Sequence, residues 1–249
     1  MRPSHIAFAA TIVALGVMGL GAGGTPPWDG IPEGVPGRAA IIDVCAAIEA
    51  AAGLGLMFPR TVRLACRVLL PLLLLSLLLL RVPALLREPF MMVRWEAFAE
   101  IAVLCAGVWT LFAAHAGAWE RRRVKFAVGA RGVAAARWLV IVSLPVFGLS
   151  HFAYSGFTAA LVPKWLGSGL AWTYLTGVAD IAAGIALLVR FRPHLVASLE
   201  AAMLGIITLL VWVPRVVETP GGAGNWNELL ISAAIAAGVW RVADTYRDA

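Results

Sequence analysis

Two carboxylates set in apolar surroundings are the residues best placed to do chemistry in this chain. Asp180 lies in YLTGVADIAAGIALL (174–188), and Glu49 lies in the apolar segment 41–57. An ionisable group at membrane depth is costly, so by default it marks a site or a buried pair. The chemistry open to such a group is proton acceptance or ligand binding; the plain alternative is a carboxyl that only hydrogen-bonds between helices. Thr173, Gly177, Asp180 and Gly184 recur at steps of four, three and four, which puts them on one face of a helix. That face is small and polar. Small residues let a second backbone approach closely, so the carboxylate points into the protein and away from lipid. Ile42, Ala46, Glu49 and Gly53 repeat the same spacing.

The other polar groups fall around these two at smaller depth. Counting inward at ~1.5 Å per residue places Asp180 roughly 15 Å from the outer end of its helix, with His151 and Glu228 shallow. Trp226, Asn227 and Arg215 share the outer part of the second half of the chain, and Arg81, Glu96 and Glu100 lie above Glu49 in the first. Each half is thus expected to enclose a polar pocket that opens outward. The candidate ligand- or proton-binding residues are Asp180, His151, Glu228, Asn227, Trp226, Arg215, Glu49, Arg81 and Glu100. His5, His115 and His194 sit at the opposite helix ends and read as surface groups.

The elements that must position these residues are membrane helices. Of 249 residues, 61% are hydrophobic and only 14% charged, too little polar surface to cover a soluble fold. Windows of about 20 residues give eight candidate spans, at 4–22, 40–57, 63–87, 95–116, 136–154, 170–189, 195–215 and 226–243. The net charge of +6 does not point to nucleic acid, because its distribution is one-sided. Arg2, Arg60, Arg63, Arg67, Arg121, Arg122, Arg123, Lys125, Arg131, Arg137, Arg190, Arg192, Arg241 and Arg247 all fall at alternate helix ends. The positive-inside rule makes that side cytoplasmic, with both termini on it. The first helix also has signal-peptide features, with Arg2 in front and small residues at 21–24; an uncleaved anchor is the preferred reading. Trp28, Trp95, Trp165, Trp172 and Trp226 are expected to gather at the outer interface as headgroup-level anchors. Pro71, Pro83 and Pro214 should kink their helices. Cys45, Cys66 and Cys105 show no metal-type spacing and read as small buried hydrophobes.

An internal repeat organises the spans. Residues 31–112 match residues 131 positions later without a gap: Pro83 pairs with Pro214, Trp95 with Trp226, Gly107 with Gly238, Trp109 with Trp240, and Glu49 with Asp180. With the helices at 4–22 and 136–154, each copy has four helices, so the two copies enter the membrane in the same direction. The expected architecture is all-α: a polytopic membrane protein of eight transmembrane helices in two parallel four-helix repeats. The boundaries are 1–118, a basic cytoplasmic linker at 119–135, and 136–249. The linker reads either as a short amphipathic helix on the anionic inner leaflet or as a plain positive-inside loop.

The second half resembles the DoxX family of small bacterial membrane proteins. FGLSHF at 147–152, VPKWL at 162–166, YLTGVADIAAGIALL at 174–188 and WVP at 212–214 carry the resemblance, which spans that family's four-helix unit nearly end to end. The first half resembles it only through the repeat and has no match to His151. The resemblance implies a bacterial cytoplasmic-membrane protein associated with membrane redox systems, such as thiosulfate:quinone oxidoreduction. It makes a quinone a conceivable ligand and membrane redox proteins conceivable partners, beside the lipid bilayer itself. No P-loop, GxGxxG, HExxH or GxSxG is present to give a soluble catalytic apparatus, and no cofactor is evident. Three functions follow as expectations: an accessory or ligand-binding subunit in quinone-linked metabolism, a small-solute or proton-coupled transporter, and a structural membrane protein.

Overall fold

The computed structural model describes residues 1–21 and 25–247, and all regular elements in them are helical. The long helices are α1 (Pro3–Gly19), α2 (Arg38–Leu56), α3 (Val62–Arg87) and α4 (Met92–His115). A short α5 (Ala118–Arg123) leads into α6 (Gly129–Ala153), and a short α7 (Ser155–Leu161) with one 3-10 turn (Lys164–Leu166) leads into α8 (Gly169–Leu188). The chain closes with α9 (Pro193–Glu218) and α10 (Ala223–Thr245).

Six of these helices, α2, α3, α4, α6, α8 and α9, are long and apolar enough to cross a membrane. The expected count of eight is therefore met by length and composition for six. α1 is only 17 residues long. α10 carries Asn225, Asn227, Glu228, Arg241 and Asp244. Both of these helices lie against neighbours for much of their length. Phe8, Ile12 and Leu15 of α1 are buried, as are Ile231 and the run from Ala234 to Val239 of α10. A helix flanked by protein can keep polar residues that a lipid-facing one cannot.

α4 is the centre of the core. Ile101, Ala102, Val103, Leu104, Cys105 and Ala106 are all fully buried. The lipid-type surface is formed by other helices, through exposed Leu75, Leu78, Leu79, Leu86, Leu199 and Leu209. α2 packs on α1 and α3, and α8 packs on α6 and α9; α3 packs on α4, and α9 on α10. α1 also packs on α10, α6 on α4, and α4 on α10. The N-terminus is tied to the end of α10: the Ser4 hydroxyl donates to Asp244 Oδ2 at 2.5 Å, and Arg2 Nη1 lies 3.8 Å from Asp244 Oδ1. The start of α1 and the end of α10 thus meet on one side of the bundle.

The proline kinks take a specific form. α3 contains a π-helical turn at Leu77–Arg81 and α9 one at Thr208–Trp212, directly before Pro83 and Pro214. Proline cannot donate to the carbonyl four residues back, and a wider turn absorbs the misfit. These two turns start 131 residues apart, as do α2 and α8, α3 and α9, and α4 and α10.

Between the halves, α5 is anchored by its acid. The buried Glu120 receives Arg63 Nη2 at 2.7 Å and Nε at 3.2 Å, Arg67 Nε, and the Gly117 amide at 2.9 Å. These donors, Arg63 first, hold the Glu120 carboxyl well below the ordinary carboxylate range. The docking therefore has full strength above the unfolded value of about 4.3 and weakens only as pH falls through the lower folded value. Glu120→Gln removes the charge at every pH. It should release the linker at neutral pH, read as several-fold faster tryptic cleavage after Arg121, Arg122 and Arg123 than in the wild type.

Candidate functional site: a buried carboxyl pair

The face of α8 that carries Asp180 turns inward. Thr173, Gly177, Asp180 and Gly184 are all buried, and α6 lies directly on them. A Cβ on Gly148 of α6 would come within 2.5 Å of the Gly177 carbonyl oxygen, and a Cβ on Gly184 within 2.6 Å of Pro145 Cδ. Two backbones this close leave no room for lipid. They also place the last turn of α6 beside the middle of α8.

His151 comes from that last turn. Its Nδ1 lies 2.8 Å from the Phe147 carbonyl, to which it donates, and 3.7 Å from Asp180 Oδ2. The second distance is too long for a hydrogen bond but short enough for a charge on either ring or carboxyl to be felt by the other. The imidazole is 21% exposed while Asp180 is 1% exposed, so the ring stands between the carboxylate and the surroundings.

The third member is Glu200, from α9. It is buried, and its carboxyl lies within hydrogen-bonding reach of Asp180. A hydrogen bond between two carboxyl groups needs one proton between them. Apart from that shared proton, Asp180 Oδ1, Glu200 Oε1 and Thr173 Oγ1 are buried with no other hydrogen-bond partner in the protein. Three such oxygens are expensive to keep unsatisfied. The arrangement can hold and exchange a proton, or present oxygens to a small polar ligand. Glu200 was not among the residues read from the sequence as candidates. An acid in the apolar window 195–215 carries the same signal as Asp180, so the reasoning that found one finds the other.

Glu49 occupies the corresponding place in the first half, with a different outcome. The loop before α2 folds inward, and Trp28 Nε1 donates to Glu49 Oε2 at 2.8 Å. Trp28 is 3% exposed, so it is not the interfacial anchor expected; its indole N–H serves a buried carboxyl instead. Asp29 forms an ion pair with Arg81, and the Ser76 hydroxyl donates to the Pro27 carbonyl at 2.8 Å. Arg81 thus fastens the loop that covers Glu49. Position 159, the counterpart of Trp28, is an alanine, and the second half has no such plug there.

The remaining candidates lie apart from Asp180. Glu228 is within electrostatic reach of Glu96 and Glu100, where α4 meets α10, and Ser150 Oγ donates to Glu96 at 3.3 Å. Asn227 Oδ1 is buried without a partner. Trp226 Nε1 caps the Pro220 carbonyl at 2.9 Å, as Trp95 Nε1 caps Pro89 at 2.8 Å. Arg215 reaches the Ala160 carbonyl at 3.3 Å and lies over Trp212. His5, read as a surface group, is buried. Its Nε2 lies 2.9 Å from the Leu56 carbonyl and its ring 5.9 Å from that of His115, because the start of α1 packs against the end of α2. Among the described residues, no group of three or more His, Cys, Asp or Glu side chains is arranged to hold a metal ion.

The profile of one protein family, a domain of unknown function (DUF8561), matches residues 139–217. That stretch runs from α6 to α9 and contains His151, Asp180 and Glu200. Comparison with curated proteins and with solved structures gives no match.

Proposed function

We propose that the chain is a multi-pass membrane protein whose Asp180–Glu200 pair binds and passes on a proton, the coupling site of a small-solute transporter. The observation that carries this reading is the pair itself: two buried carboxyls in reach of one shared proton, with no other protein donor on Asp180 Oδ1 or Glu200 Oε1. His151 is the group through which protons reach them, being half-shielded and 3.7 Å from Asp180. Reconstitution in liposomes with an imposed pH gradient tests it. The wild type should carry protons inward, read with an entrapped pH dye, and Glu200→Gln should not. Equal proton movement by both would end the proposal.

The architecture belongs to the same proposal. Eight helices cross the bilayer as two parallel repeats, 1–118 and 136–249, joined by the basic linker 119–135. Four equal offsets of 131 residues support this, and so does the packing. Exchanging the two copies turns the α1–α10 contact into the α6–α4 contact and leaves α4–α10 unchanged, as an axis along the membrane normal requires. The protein lies in a bacterial cytoplasmic membrane with both termini inside. Reporter fusions after Arg123 and at the C-terminus should both report cytoplasm; a periplasmic signal from either contradicts this topology.

The resemblance of the second half to DoxX proteins suggests a second reading, an accessory subunit that binds a quinone for membrane redox partners. One observation favours it: Phe152 and Tyr174 stack beside His151, with centroids 5.5 Å apart and planes at 12°. A quinone ring could lie against that pair, and the hydroxyl of its quinol form could donate to His151 Nε2. Saturable quenching by a short-chain quinone, lost in His151→Ala, would support it; no quenching would discard it.

A further inference from the structure

A cavity of about 670 Å³ lies on the linker side of the bundle, between α3, α4 and the segment 118–127. Its walls are apolar: Leu70 and Leu74 of α3, Trp109 and Phe112 of α4, and Phe126 of the linker. Its polar lining consists of the docked Glu120 and Arg67. Arg67 gives Nε to Glu120 and lies over the Trp119 ring at 5.7 Å, and its side chain remains 39% exposed. Both terminal nitrogens of its guanidinium are thus left to donate. The exposed side chains of Arg121, Arg122, Arg123 and Lys125 follow immediately along the linker. Trp119 and Phe126 are also exposed, at 58% and 67%, as aromatic residues at a membrane interface are.

An apolar pocket that ends in a partly exposed arginine, beside four further cations, has the complementarity of an anionic amphiphile. We infer that this cavity is a binding site for one anionic phospholipid of the linker-side leaflet. The phosphate would sit on the Arg67 guanidinium, whose planar fork suits a phosphate better than an ammonium would. An acyl chain would run along Leu70 and Leu74 toward Phe112. The surrounding positive charge favours an anionic over a zwitterionic headgroup. The site is particular to the first half. The position 131 residues after Arg67 is Ser198, which has no charge to offer a phosphate. This inference does not depend on the Asp180–Glu200 reading.

Native mass spectrometry of the delipidated full chain, titrated with phosphatidylglycerol or phosphatidylcholine, tests it. The wild type should retain one phosphatidylglycerol with about fivefold to thirtyfold preference, the effect of one or two nearby cations. Arg67→Gln should remove most of that preference while Arg63 still holds Glu120. Leu74→Trp fills the cavity and keeps every charge, and it should lower retention of both lipids. No headgroup preference in the wild type, or full lipid retention in a folded Leu74→Trp protein, would overturn the inference. Displacement by glycerol 3-phosphate at equal concentration would also overturn it, because a headgroup site alone needs no cavity. If Arg67→Gln does not fold, the Leu74→Trp result decides.

Discussion

Asp180→Asn and Glu200→Gln are each expected to fold with thermal stability close to that of the wild type and to lose proton exchange at the pair. An amide keeps the volume of the carboxyl and donates a hydrogen bond to the acid that remains, so the contact between α8 and α9 survives. What disappears is the shared proton. Asp180→Leu differs in kind: it leaves Glu200 buried without its partner, at a cost of about 1–3 kcal/mol, and its branched side chain crowds the glycine face. Infrared difference spectroscopy between two pH values separates the cases. The wild type should show a protonated-carboxyl band that both amide variants lose, and melting in detergent should fall clearly only for Asp180→Leu. A stable Asp180→Asn protein that still gave the full band and carried protons normally would make Asp180 a packing residue.

The second large effect is expected where α6 and α8 touch. Gly148→Ala places a methyl carbon 2.5 Å from the Gly177 carbonyl oxygen and 2.6 Å from Ile181 Cγ1. Backbone cannot step aside as a flexible side chain can, so the helices must part. Gly177→Val meets the Gly148 carbonyl at 2.9 Å and His151 Cβ at 3.0 Å, which pushes His151 away from Asp180. Each change should destabilise by about 1–3 kcal/mol, the usual cost of overpacking, and slow proton exchange even where the protein folds. Gly205→Ala is the control. It lies in α9 with nothing within 4 Å of the added carbon, and Ala there should be neutral or stabilise by about 0.5–1 kcal/mol. Equal melting temperatures for Gly148→Ala and Gly205→Ala would mean that α6 and α8 are not in backbone contact.

The glycine spacing around Asp180 was legible because a helix has a fixed period. Residues four, three and four apart share a face whatever the rest of the molecule does, and α6 packs on that face. The helix starts, read from hydropathy windows, fall within three residues of those observed except for α6, which begins at Gly129 and not at 136. α10 was harder, because its window holds acids and amides that only a protein-lined helix tolerates. Trp28 was misplaced because interfacial frequency says nothing of a loop that turns inward. Glu49 and its indole partner are 21 residues apart, and no periodicity links them.

Composition and period by themselves determined an all-helical chain with helices apolar enough to cross a membrane and an inward-facing acid, because those properties act on each segment separately. Which acid meets which group was decided only in three dimensions. Glu200 lies on another helix from Asp180, Glu228 comes within electrostatic reach of Glu96 and Glu100, and Glu120 gathers Arg63 and Arg67 from a different element. Such pairings depend on helix rotation and on the order of helices around the bundle. Both are set by contacts distant in sequence, and no local pattern encodes them.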